Sequence, residues 1–255
     1  MDLKGKVALV TGAAHRVGRA IALALAREGA HVVVHYGGSS EAAARTQAEI
    51  AARGVEAVTV SANLADPAAI AALFETTADR FGRLDVLVNS AARFDKRAFD
   101  AITLEDWERS MAVNVRAPFL AMQHAARLMR AAARPADQPA LIVNIADLSG
   151  VYPWRDYVQH GVSKAGLLHL TKIGARELAP HVRVNAIIPG PILPPPGMDP
   201  ASTNWQETVQ AVPLQREGGA EVIGETVVFL ARNDFITGAV INVDGGEGLL
   251  GVSTH

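Results

Sequence analysis

Two side chains able to move a proton stand four residues apart in the segment DYVQHGVSKAGLLHL (156–170): His160 and Lys164. In a helix that spacing places both on one face, one turn apart. An imidazole titrates near neutrality and can donate or accept a proton, whereas an ammonium is a donor and a local positive charge. Together on one face they suit general acid–base work on a bound ligand. The other histidines have no such setting. His124, His169 and His181 show no ligand spacing with carboxylates, and the chain has no cysteine, so a metal site, a disulfide and thiol catalysis are not expected.

Such a pair needs a scaffold. Seven apolar runs read as strands: 7–11, 31–36, 57–62, 84–90, 140–146, 182–188 and 239–244. Most are continuous rather than alternating, the pattern of parallel strands covered on both faces. Ala-rich segments of helical spacing lie between them, at 17–29, 40–53, 67–81, 103–132, 157–179 and 220–231. Gly29 closes the first helix, and Asp66-Pro67 opens the third as N-cap and first helical residue. Strand–helix alternation predicts an α/β fold over 1–255, a single-domain Rossmann-like, doubly wound parallel sheet of about seven strands with helices on both faces. The prolines of PGPILPPPGMDPASTNW (189–205) predict irregular structure, and 189–211 is read as a loop covering the substrate.

Composition narrows the function. With 49% hydrophobic residues the 255-residue chain can bury one large core, and its net charge of −2 gives no attraction to nucleic acid or an anionic membrane. No stretch approaches the roughly 20 apolar residues of a membrane helix. The opening MDLKGKVALVTG holds too short an apolar run for a signal peptide. The expectation is a soluble, cytoplasmic protein acting on a small molecule.

The segment VALVTGAAHRVGRAIALALA is a strand, a tight turn and a helix. Gly12 permits the turn, and Gly18 lets the helix start close to the strand, so that a pyrophosphate can sit on unpaired N–H groups at the positive helix end. After the second strand, a carboxylate would hold the ribose 2′-hydroxyl of NAD. The sequence there is HYGGSS (35–40), with Tyr36, Ser39 and Ser40 but no acid, while the glycine turn carries His15 and Arg16. Guanidinium and hydroxyl groups suit a 2′-phosphate, so NADPH is the predicted cofactor.

The threonine–glycine turn, NSAA (89–92), Asn114, Lys164 on the helix after the fifth strand, PG (189–190) and ITGAVINVDGG (236–246) occur in the order of the short-chain dehydrogenase/reductase family, which the chain resembles along nearly its whole length. Within it the chain looks most like pteridine reductases and bacterial dihydropterin reductases. Arg16 in TGxxxRxG, Asp147 where most relatives have a catalytic serine, and Phe94 at the position whose ring stacks on the pterin carry that likeness.

The resemblance implies that Lys164 binds the nicotinamide ribose and that Asn114 holds a water in a proton relay. Asp147 then faces His160 across the substrate pocket, with Phe94 and Tyr157 as pocket walls. It extends the cofactor site to Val17, Asn63, Leu64, Asn89 and Ala91, with backbone groups of Pro189, Gly190 and Ile192 holding the carboxamide. Relatives commonly form homotetramers through the helices at 103–132 and 157–179.

The sequence departs from the pattern at three positions. Gly38 stands where the pteridine branch often has a phosphate-binding arginine, Asn63 where an adenine-contacting aspartate is usual, and His160 where the family's YxxxK motif has its proton-donating tyrosine. Only imidazolium is a good acid. Lys164 and an oxidised nicotinamide push His160 towards the neutral ring, and Asp147 towards imidazolium; residue types alone leave that balance open. The expected activity is NADPH-dependent reduction of a pterin or dihydrofolate-type C=N bond. The alternatives are a carbonyl reductase of 3-oxoacyl type, and a cofactor-binding protein whose catalysis is lost or weak.

Overall fold

A computed structural model describes residues 1–133, 135, 138–195 and 197–251. Pro196 of the predicted covering loop and the last four residues of the predicted 1–255 domain lie outside them. Among the described residues seven strands form one sheet: β1 (Val7–Val10), β2 (His31–Tyr36), β3 (Ala57–Ser61), β4 (Val86–Asn89), β5 (Ala140–Ile145), β6 (Val182–Pro189) and β7 (Val240–Val243). Their order is β3-β2-β1-β4-β5-β6-β7, and every pairing is parallel. The order reverses between β1 and β4, which opens a crevice at the C-terminal strand ends where such sheets bind ligands.

The helices are α1 (Arg16–Arg27), α2 (Ser40–Ala51), α3 (Pro67–Phe81), α4 (Leu104–Met111), α5 (Ala117–Ala131), α6 (Val158–Leu178), α7 (Thr203–Ala211) and α8 (Glu221–Arg232). Two apolar layers flank the sheet. One includes Ile21 and Leu25 of α1 with Ile223 and Val227 of α8, the other Leu73 and Phe74 of α3 with Ala125 and Met129 of α5. Burying such side chains on both faces is what makes the continuous apolar strands stable as a parallel sheet. The predicted stop at Gly29 is present at φ 86°. Asp66 caps α3 by accepting from the Ala68 N–H at 2.9 Å.

Two expectations are corrected. The predicted single helix at 103–132 is α4 and α5 joined by a π-turn, Ala112–Arg116, with Asn114 inside it. Pro118 contributes to the break, because it has no N–H to give the carbonyl four residues back, which is that of Asn114. Single π-turns inside helices gather at functional sites. The predicted irregular segment after β6 holds α7. The last proline of that run is Pro200, and beyond it Trp205 and Val209, four apart, are both buried, which gives a short helix its apolar stripe.

Candidate active site

At the C-terminal end of the sheet, β5 runs into a 3₁₀ turn, Leu148–Gly150, that lies against α6. Two glycines permit the approach. A Cβ on Gly150 would lie 2.8 Å from the Ala165 nitrogen, and one on Gly161 would lie 2.9 Å from the Ser149 carbonyl oxygen. Asp147 caps this turn, one carboxylate oxygen accepting from the Ser149 N–H at 2.8 Å. Its other oxygen stands 3.7 Å from His160 Nε2. The expected juxtaposition of Asp147 and His160 is therefore present.

The opposite nitrogen of His160 settles its chemistry. Nδ1 lies 2.9 Å from the carbonyl oxygen of Arg93. A carbonyl can only accept, so Nδ1 carries a hydrogen in every protonation state of the ring. The proton that comes and goes is then on Nε2, the nitrogen that faces Asp147. As imidazolium, His160 is an acid pointed into the pocket; as neutral imidazole it shows Asp147 a bare lone pair. Burial pushes the Asp147 carboxyl up, but His160, Lys164 and the Ser149 N–H together hold it below the usual carboxylate range. The result is a carboxylate facing Nε2.

Lys164 lies one turn along α6, only 4% exposed, and donates to the Ile145 carbonyl at 2.8 Å. Burial lowers its ammonium from 10.5 to about 8, with Asp147 pulling the other way. Asn114 is committed to protein partners. Its Oδ1 accepts from the Arg93 N–H at 2.8 Å, and its Nδ2 donates to the Arg93 carbonyl at 3.0 Å and the Ser163 hydroxyl at 2.9 Å. The side chain thus fixes the peptide that orients His160 and has little left for a water. Its main-chain carbonyl lies in the π-turn, where Pro118 has no N–H to offer it.

The segment after β4 forms the pocket wall. Phe94 stacks on Tyr157 with ring centroids 4.7 Å apart and meets the His160 ring edge-on at 4.7 Å. It is still 41% exposed, so aromatic surface remains for a planar ligand. The Gln159 side-chain amide donates to Asp95 O, and the Arg97 N–H to Asp156 O, both at 2.8 Å, strapping this loop to the start of α6. Arg93, Ser163, Gly150 and Gly161 were not singled out in the sequence. They act through a carbonyl, a hydroxyl and missing side chains, and so leave no chemical signature.

The predicted cofactor residues gather along the same strand ends. Gly12 to Gly18 form the β1–α1 turn, with Gly12 at φ 67°, and a Cβ on Gly18 would lie 2.3 Å from the Gly12 carbonyl oxygen. His15 precedes α1 without a side-chain cap, leaving the first N–H groups of the helix to a ligand. Arg16 sits at φ 51°, and its guanidinium reaches across to the Pro194 carbonyl at 2.7 Å, joining the glycine turn to the segment after β6. Val17 follows it in α1. Tyr36 ends β2, Ser39 and Ser40 open α2, and Asn63 and Leu64 follow β3. Asn63 accepts locally from the Ala65 N–H, which leaves its amide hydrogens outward. Pro189 ends β6, and Gly190 is required next, since a Cβ there would meet the Asp244 Cα at 2.6 Å. Ile192 is buried beside it.

The Asn89 side chain donates to Asn144 at 2.8 Å and ties β4 to β5. Only its backbone, with Ala91, borders the crevice, where the Ser90 and Ala91 N–H groups donate to the Thr11 hydroxyl. Buried polar atoms mark the centre as made for a ligand: Ser149 Oγ and His160 Nε2 both lack a hydrogen-bond partner, a condition proteins rarely tolerate without a functional reason. Among the described residues no group of histidines and carboxylates suits a metal ion, and no helix is long and apolar enough to cross a membrane.

A family model described as enoyl-(acyl carrier protein) reductase matches residues 12–247. A curated relative, a 3-oxoacyl-[acyl-carrier-protein] reductase of Synechocystis sp., is 39% identical over 249 residues, 96% of this chain and 97% of the relative. The chain belongs to the short-chain dehydrogenase/reductase family. As a short-chain oxidoreductase it also aligns with solved structures. A blue fluorescent protein from a metagenomic library, in complex with NADPH, has a TM-score of 0.87 at 34% identity, covering 96% of this chain and 99% of that one. FolM alternative dihydrofolate reductase 1 from Brucella canis, complexed with NADP, has a TM-score of 0.89 at 32% identity, covering 99% and 98%. These likenesses support the family and not the pteridine branch within it.

Proposed function

We propose that this short-chain oxidoreductase is an NADPH-dependent reductase of a planar, ring C=N substrate of the pterin or dihydrofolate type. The observation that carries this reading is the His160–Asp147 pair, with its labile proton on Nε2, beside the exposed Phe94 ring. The cofactor is NADP(H), held by the turn from Gly12 to Gly18, by Arg16, Ser39 and Ser40 at its 2′-phosphate, and by Lys164 at its ribose. NADPH and NADP in the structural neighbours support it. Bound there, it supplies a hydride.

The chain's own residues manage the proton. His160 gives the Nε2 proton to the substrate's ring nitrogen while Nδ1–H stays on Arg93. Asp147 stabilises the imidazolium before transfer, and at 22% exposure against 2% for His160 it is the member of the pair that meets solvent for reprotonation. The Asn114 carbonyl holds the water that continues the relay. Phe94 and Tyr157 keep the ring flat against the pocket, and the segment after β6, with α7, covers it.

A second reading, reduction of a 3-oxoacyl carbonyl, is favoured by the Synechocystis relative. A carbonyl becomes a strongly basic alkoxide and needs its donor more than an imine does, so the tyrosine-to-histidine change argues for the C=N substrate. One experiment separates them: NADPH oxidation with a dihydropterin, dihydrofolate and a 3-oxoacyl thioester, from pH 5 to 8, with NADH in parallel. Turnover of the first two alone supports the proposal, and turnover of the thioester alone replaces it. In the same assay Arg16→Gly is expected to cut the preference for NADPH over NADH by about tenfold, through loss of a charge-assisted contact. An unchanged ratio removes Arg16 from the phosphate site.

The chain assembles as a homotetramer in the cytoplasm. An apolar groove along α4, the π-turn, α5 and α6, lined by Met111, Val115, Phe119 and Leu170, supports the assembly. Sedimentation velocity tests it, and a monomer at micromolar concentration would overturn it.

A further inference from the structure

We propose that His35 is a positioning residue for the cofactor, its imidazole holding the glycine turn in shape by accepting the Gly12 N–H at Nδ1 and donating from Nε2 to the Ala62 carbonyl. The inference rests on the reading that NADPH occupies that turn. His35 lies on β2 beneath the turn, 2% exposed. Gly12 N is 3.1 Å from Nδ1, and Ala62 O is 3.0 Å from Nε2. An amide N–H only donates and a carbonyl only accepts, so both ring nitrogens are assigned: Nδ1 is bare and Nε2 carries the hydrogen. Burial acts in the same direction, holding the ring below its ordinary pKa and therefore neutral.

The placement explains why such a residue is needed. Gly12 and Arg16 both have positive φ, a backbone path with few local restraints of its own. The turn is held from two sides. Towards β4, the Thr11 hydroxyl accepts from the Ser90 and Ala91 N–H groups at 2.9 and 3.1 Å. Towards β2 and β3, His35 accepts the Gly12 N–H with its ring and the Ala13 N–H with its own carbonyl, the latter at 2.9 Å. Ala62 directly precedes Asn63 and Leu64, so a single ring links the pyrophosphate turn to the wall proposed for the adenine. Without the ring, Gly12 carries an unpartnered, half-buried amide, and the turn swings to satisfy it.

Two measurements on the full chain test this. Nitrogen-15 NMR of the imidazole ring at pH 7 is expected to report a neutral His35 with hydrogen on Nε2; imidazolium or the Nδ1–H tautomer would overturn the assignment. NADPH affinity is then read from cofactor fluorescence, without turnover. His35→Leu removes both bonds and is expected to weaken NADPH about tenfold. His35→Asn sets an amide oxygen where Nδ1 stood, keeps the Gly12 acceptor, and is expected to stay within about threefold of the parent. If the leucine variant does not fold, His35→Gln replaces it, since its amide oxygen lies one methylene beyond the Gly12 N–H. Equal affinities for parent and leucine (or glutamine) variants, or equal losses in the two variants compared, overturn the role of His35 alone. A parent that binds no NADPH overturns the cofactor reading and the role of His35 with it.

Discussion

Replacing His160 with phenylalanine is expected to lower kcat of the proposed reduction by about 10² to 10⁴, the usual worth of a positioned proton donor, with KM little changed. Phenylalanine keeps the edge-on contact with Phe94, so the pocket retains its shape while both ring nitrogens are lost. The pH profile distinguishes lost chemistry from lost structure. In the parent, Nε2 donates only as imidazolium, so kcat is expected to rise as pH falls. Asp147 sustains that limb, because its carboxyl sits below the usual carboxylate range and remains ionised across it. His160→Tyr puts a donor there that stays protonated from pH 6 to 8, and the limb should flatten. A phenylalanine variant as active as the parent, with the same profile, would remove His160 from the reaction.

Lys164→Met is expected to abolish most turnover, by about 10² or more, and at the same time to stabilise the unliganded protein by about 1–3 kcal/mol at pH 7. The stability change follows from the buried ammonium. Unfolded, Lys164 keeps its proton to about 10.5; folded, it releases it at about 8. Below pH 8 both states are charged and burial of the charge counts fully against folding. Between pH 8 and 10.5 the unfolded state binds more protons, so parental stability rises with pH and the gap to the methionine variant closes. Loss of the bond to the Ile145 carbonyl offsets part of the gain. Urea unfolding at pH 7 and pH 10 measures both ends. A variant less stable than the parent at pH 7 would mean that the hydrogen bond outweighs desolvation. A side chain that destabilises the resting fold is consistent with one retained for its ligand.

How much of this was legible beforehand depends on the range of the interaction that decides it. The seven strands, the glycine turn, the cap at Asp66-Pro67 and the shared face of His160 and Lys164 follow from neighbours within about ten residues, and all stand where the residue pattern puts them. Asp147 opposite His160 follows from the family resemblance and not from local pattern, because the contact depends on two glycines, Gly150 and Gly161, that meet residues twelve to fifteen positions away. At the π-turn the residue pattern reads as one continuous helix, because the apolar period runs on through the break and masks a local register change. Helix α7 is hidden in the sequence because the prolines before it dominate the residue pattern of the segment.

By itself the amino-acid sequence determined the doubly wound sheet, the edge at which a dinucleotide binds and the residue types at the centre, since these rest on period, chirality and backbone freedom. Only the tertiary structure decided what those residues can do. Which nitrogen of His160 titrates is set by the carbonyl of Arg93, 67 positions away. What Asn114 contributes is set by its clamp on that same residue, and the state of His35 by an amide 23 positions back. Protonation and orientation belong to the partners a side chain meets, and the folded chain alone brings those partners within hydrogen-bonding range.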